Sequence, residues 1–193
     1  MKRILFVLLG VFVLLAGASA QKTEILSRHI NLRSIGLMFQ YGHYFYLLPE
    51  GLSYRPILIG GTLHLPLSTT KTRFNYGIDF VPQVGFSFTD KLNSEFGINL
   101  YLNANLALGR NSLINFNVGA GPHYTDLVTA RQINGFIFST NFLMAYKHRY
   151  RNENNQYELA FFSGLRHISN AQTRKPNIGI NNLIFGLTVA KMF

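Results

Sequence analysis

The sequence predicts an all-β fold, an eight-stranded antiparallel transmembrane β-barrel. Three observations carry this. Apolar residues recur with a period of two, the segments showing it are about the 9–11 residues a tilted membrane-crossing strand needs, and after residue 20 no apolar run approaches the roughly 20 residues of a spanning helix. The clearest segment is EFGINLYLNANLAL, where Phe96, Ile98, Leu100, Leu102, Ala104 and Leu106 alternate with Gly97, Asn99, Tyr101, Asn103 and Asn105. Successive strand side chains point to opposite faces, so one face is apolar and the other polar. A water-soluble sandwich also alternates in this way; recurrence at membrane-crossing length favours the barrel.

The first 20 residues, MKRILFVLLGVFVLLAGASA, place Lys2 and Arg3 before an apolar run and Ala18-Ser19-Ala20 after it, the pattern of a cleaved secretory signal peptide. Residues 21–193 are then expected to form a single barrel domain, too short for two. The chain has no Cys, which excludes a lipoprotein anchor and any disulfide framework. Its formal charge of +10 falls to about +8 without Lys2 and Arg3 and suits an anionic partner. Export disfavours nucleic acid, whereas 17 Phe and 10 Tyr suit an anionic membrane surface.

Strands are expected near 32–42, 55–67, 73–87, 95–108, 113–121, 133–147, 157–169 and 182–193. The polar turns STTKT, GRNS and RYRNENNQ alternate with longer segments at 43–54, 88–94, 122–132 and 170–181. Bacterial outer-membrane barrels have such short periplasmic turns and long outer loops, and an even strand count leaves both termini periplasmic. In the last segment, NNLIFGLTVAKMF, Leu183, Phe185, Leu187, Val189 and Phe193 share the lipid face, while Ile184, Gly186, Thr188, Ala190 and Met192 are small enough for a narrow lumen. Lys191 interrupts the lipid face near the periplasmic end, where its chain can snorkel to water. Outer-membrane barrels typically end on an aromatic residue, which implies recognition of Phe193 by the barrel-insertion machinery. Eight strands leave no open channel, so bulk transport is not expected.

In the seventh strand Tyr157, Leu159, Phe161, Ser163, Leu165, His167 and Ser169 form the more apolar, lipid-facing set, and Glu158, Ala160, Phe162, Gly164, Arg166 and Ile168 face the lumen. His167 and Ser169 then project outward at the strand's outer end, with α-carbons roughly 6.5–7 Å apart, close enough for an imidazole to take a proton from the serine hydroxyl. Polar side chains on a lipid face are costly without function or water contact.

The segment RHISNAQTRKPNIGIN, residues 166–181, resembles the His-x-Ser-Asn-Ala and Pro-Asn-x-Gly motifs of the lipid A 3-O-deacylases, the PagL-type outer-membrane acyl esterases. The resemblance implies an esterase that removes the 3-O acyl chain of lipid A, the lipid of lipopolysaccharide, in the outer leaflet. It implies Ser169 as nucleophile through an acyl-enzyme and His167 as base. It points to the Asn177 amide and the backbone N–H groups of Ala171 and Gln172 for the oxyanion, with Gln172 standing where the family usually has Gly. The family's third member is a glutamate, and Asn181 occupies its position. An Asn can hold the imidazole tautomer but cannot stabilise imidazolium as a carboxylate does, so slower catalysis is expected. No Asp or Glu follows Glu158, so a carboxylate partner would come from a distant segment such as that of Asp126.

Pro176 and Gly179 would fix the loop presenting Asn177. Arg174 and Lys175 are read as docking lipid A phosphates, and Arg166, lumen-facing, as part of a solvated rim. His29, His43, His64, His123 and His148 show no metal-ligand spacing, and neither metal nor cofactor is expected. A homodimer stays open. The competing reading is a non-catalytic barrel in adhesion or membrane integrity; acyl transfer to a second lipid shares the acyl-enzyme and is not separable by sequence.

Overall fold

A computed structural model describes residues 32–44, 54–68, 73–88, 92–127, 135–170 and 179–193. The expected signal peptide lies outside them. The strands are β1 (Ser34–Tyr44), β2 (Pro56–Pro66), β3 (Phe74–Phe88), β4 (Leu92–Ala107), β5 (Ser112–Thr125), β6 (Gly135–Asn152), β7 (Asn155–Ser169) and β8 (Ile180–Met192). Each pairs antiparallel with its sequence neighbours, and β1 pairs with β8 to close the barrel. Closure removes every sheet edge, which the hydrocarbon core demands because it offers no water to unpaired backbone groups.

The register runs from Ser34 through His64, Asp79, Tyr101, Gly119, Asn141, Arg166 and Asn182, and returns to β1 at Tyr44. The stagger from position 34 to position 44 corresponds to strands tilted by roughly 40°.

Alternation is strict where the sequence alternates. In β5 and β6 buried and exposed residues follow one another for most of each strand. Phe80, Leu100, Leu102, Phe142, Phe161 and Phe185 are among the exposed apolar side chains that form the lipid belt. A Lys or Arg at the middle of such a belt costs about 2–4 kcal/mol; Lys191 lies near its periplasmic end, one position before β8 stops. Inside, Met38, Val81, Tyr101, Leu143, Phe162 and Ile184 fill the waist of the lumen, and Tyr54, Leu127, Ile137, Ile168 and Ile180 close its outer mouth. On the periplasmic side a cavity of about 60 Å³ remains beside His64 and Asp79.

Three boundaries differ from expectation. RYRNENNQ, expected as a polar turn between strands near 133–147 and 157–169, is mostly strand: β6 runs to Asn152 and β7 starts at Asn155, with Glu153 in the left-handed region at φ 48°. The hairpin extends because Tyr150 and Tyr157 stack at 5.4 Å and Arg149 Nε donates to Glu158 at 2.9 Å. The 88–94 loop shrinks to 89–91. Finally, β5 passes through Gly121-Pro122 to Thr125. Pairing with β4 lapses between Leu100↔Ala120 and Gly97↔His123, but pairing with β6 continues through Pro122↔Phe138 and carries the strand on.

Candidate active site

Both termini of an even-stranded barrel lie at the periplasmic end, so β7 runs outward and β8 returns. Of the four outer connections, 45–55, 126–134 and 170–179 are longer than 67–73, 108–111 and 153–154 at the other end, in keeping with short periplasmic turns, while 89–91 is short. Thr140, His167, Ser169 and Asn181 thus meet on the outward face at the outer ends of β6, β7 and β8, a polar cluster on a surface otherwise dominated by apolar side chains.

The β7–β8 register sets His167 directly opposite Asn181. His167 Nδ1 donates to Asn181 Oδ1 at 2.8 Å. An amide oxygen only accepts, so the proton sits on Nδ1 and the Nε2 lone pair is free to act as a base. Gly179 shapes the ring's other edge. It adopts φ +77°, and a Cβ there would collide with His167 Cε1 and lie 2.9 Å from Nε2. Its glycine identity thus answers to a steric need at the imidazole as well as to the turn.

Ser169 ends β7 on the same face, half-exposed and opposite Phe138 of β6. Among the described residues the ring's side-chain hydrogen bond is to Asn181 and none joins it to Ser169; catalytic hydrogen bonds commonly tighten only in the substrate complex. Ala171, Gln172, Arg174, Lys175, Pro176 and Asn177 lie outside the described residues.

Two expectations are corrected. Arg166 is not on a solvated rim. It is 1% exposed and paired inside the lumen with Glu95, with its Nε donating to Ser139 Oγ at 3.2 Å, because a guanidinium in a filled lumen has no water to reach and must find a partner. Asp126 is not a partner for His167: its carboxylate accepts from Ser94 N at 2.6 Å and Ser94 Oγ at 2.9 Å.

Beside the histidine a trough opens on the lipid face. The register aligns Asn181, His167, Thr140, Ala120 and Leu100 in one row across β8 to β4. Thr140 and Ala120 are small, while Leu165, Phe142, Val118 and Leu102 form the adjoining row on the membrane side. The resulting groove of about 770 Å³ includes His167 and Asn181 at one end and Leu100 at the other, roughly 14 Å away over three strand spacings. The stagger makes this row descend into the bilayer as it leaves His167.

Sequence reasoning missed a buried cluster behind the site. Glu95 on β4 bonds Arg166, Tyr54 Oη at 2.8 Å and His123 Nδ1 at 2.6 Å. Burial, then the Glu95 charge, pushes the Tyr54 phenol far above its ordinary range, which keeps it a neutral donor. Alternation did carry a signal: Glu95 and Arg166 both fall on lumen faces, and buried opposite charges must pair.

A closed eight-stranded barrel with an apolar belt defines a bacterial outer-membrane protein. The family model of the lipid A 3-O-deacylase PagL matches residues 55–190, and the chain belongs to that family of lipid A deacylases. Seven chains of solved structures match it. One, a crystal structure of the outer membrane enzyme PagL, aligns with a TM-score of 0.59 at 14% identity over 79% of this chain and 97% of that one, a likeness of fold. No curated protein sequence matches significantly.

Proposed function

We propose that the chain hydrolyses the ester-linked 3-O acyl chain of lipid A by a Ser169–His167 mechanism through an acyl-enzyme. Ser169 Oγ attacks the ester carbonyl while His167 Nε2 takes the hydroxyl proton. The carbonyl–oxygen bond to the sugar then breaks, and the imidazolium returns that proton to the departing sugar oxygen. Water attacks the acyl-serine with His167 again as base, releasing the fatty acid and restoring the serine.

Asn181 holds the ring with Nε2 toward the reaction, and Asn177 with the Ala171 and Gln172 amides forms the oxyanion site. Arg174 and Lys175 take the lipid A phosphates. The trough receives the acyl chain. The 2.8 Å bond between His167 and Asn181, made on the lipid face, carries this reading, because it is the step that leaves a base where an outer-leaflet ester can reach it.

The test is the mass of outer-membrane lipid A. Cells expressing the chain should lose one acyl group from lipid A, and Ser169→Ala should leave it intact with an equally folded barrel. Identical spectra for the two would leave a non-catalytic barrel; a newly acylated lipid in place of free fatty acid would make it an acyltransferase.

A further inference from the structure

We propose that Tyr54 and Glu95 are positioning residues, the core of a strut across the lumen that sets the spacing of His167 and Asn181; this rests on the function proposed above. Arg166 precedes His167 and Asn182 follows Asn181, and these two lumen-facing neighbours are themselves opposite in the β7–β8 register. Tyr54 bonds both. Its hydroxyl accepts from Arg166 Nη1 at 3.4 Å, and its carbonyl accepts from Asn182 Nδ2 at 3.3 Å. The same hydroxyl donates to Glu95 Oε2 at 2.8 Å, and Glu95 Oε1 takes both Arg166 Nη2 and His123 Nδ1.

Glu95 lies on β4 and Arg166 on β7, with β5 and β6 between them in the sheet, so this connection spans the lumen and not a ladder. The side chains of Arg166 and His123 are fully buried and that of Glu95 is 4% exposed, so water does not compete for these bonds. Tyr54 is further anchored by packing on Leu127, Ile137, Ile168 and Ile180.

On the outer face the catalytic geometry depends on one bond to an exposed asparagine. A strand is stiff over one residue, so any slip of Arg166 relative to Asn182 is passed to His167 and Asn181. Displacements of about 1 Å in such geometry cost on the order of a hundredfold in rate. The His64–Asp79 pair, joined at 2.6 Å near the periplasmic end of the lumen, has no site residue beside it and serves as the control.

The experiment compares Tyr54→Phe, Glu95→Gln, the charge-balanced Glu95→Gln/Arg166→Met and Asp79→Asn in detergent micelles. Folding is scored by gel mobility before and after heating, lipid A deacylation gives kcat and KM, and the ring ¹⁵N signals of His167 report its hydrogen bond. Tyr54→Phe loses only a hydroxyl, so it keeps the test open if Glu95→Gln leaves a lone buried guanidinium and does not fold. Tyr54→Phe and the folded Glu95 variants should lower kcat at least about tenfold with KM little changed. They should also move the His167 signals, while Asp79→Asn alters neither. Wild-type kcat and unmoved ring signals in folded Tyr54→Phe and double variants would overturn the strut, as would an equal loss in Asp79→Asn. Failure of the underlying function is distinguishable: wild type and Ser169→Ala would then give identical lipid A, while the ring signals would still judge the strut.

Discussion

Replacing Gly179 by alanine probes the site at its tightest backbone contact. Two costs can be worked from the geometry. At φ +77° an L-residue other than glycine costs about 1–2 kcal/mol. The new Cβ would also collide with His167 Cε1, and it would sit 2.9 Å from Nε2 and 3.2 Å from the Ile168 carbonyl oxygen. The Ile168 backbone is held in the β7 ladder, so the imidazole is what yields, by roughly 1 Å, and a shift of that size removes the 2.8 Å bond to Asn181 and costs about a hundredfold in rate. Gly135 supplies the control: it too has positive φ, +120°, but a Cβ there would meet nothing within 4 Å. Gly135→Ala should therefore lose stability through strain and keep its activity. Denaturant unfolding in detergent and a time course of lipid A deacylation by mass spectrometry separate the two effects. If Gly179→Ala deacylates as fast as Gly135→Ala, the ring does not rest against that backbone and the site geometry argued here is wrong.

Two further outcomes follow from the same geometry. Asn181→Glu should retain or raise the deacylation rate, whereas Asn181→Leu, which offers no acceptor to Nδ1, should lower it about a hundredfold; equal rates for all three forms, measured on folded protein, would remove Asn181 from the site. Ala120→Phe should block the trough: because an acyl chain entering it leaves one hydrocarbon surrounding for another, the trough orients more than it attracts, and the loss should appear in kcat. Unchanged turnover on long-chain lipid A would show that the acyl chain lies elsewhere.

Much of the barrel was legible from residue order. A strand's two-residue period is set within its own backbone, so EFGINLYLNANLAL declared both faces of β4 without reference to any other segment, and the alternation of β7 placed His167 and Ser169 outward and Arg166 inward. The resemblance at 166–181 singled out Asn181 as the counterpart of the family's glutamate, and the odd-numbered face of β8 sets it outward with Leu183 and Phe185. Where boundaries moved, the cause lay in neighbours: Gly121-Pro122 looks like a strand end but is carried through by β6, and RYRNENNQ reads as a turn throughout but stays paired to Asn152 and Asn155 by stacked tyrosines and an ion pair.

The partners across the lumen were not legible. That Glu95 meets Arg166, that Tyr54 reaches both Arg166 and Asn182, and that Thr140, Ala120 and Leu100 line up into a trough beginning at His167 all depend on how far the sheet is staggered when it closes. Alternation decides which way a side chain points and is local. Stagger decides what it points at, and it is a property of all eight strands at once, shared out among hydrogen bonds that no single segment of the sequence specifies.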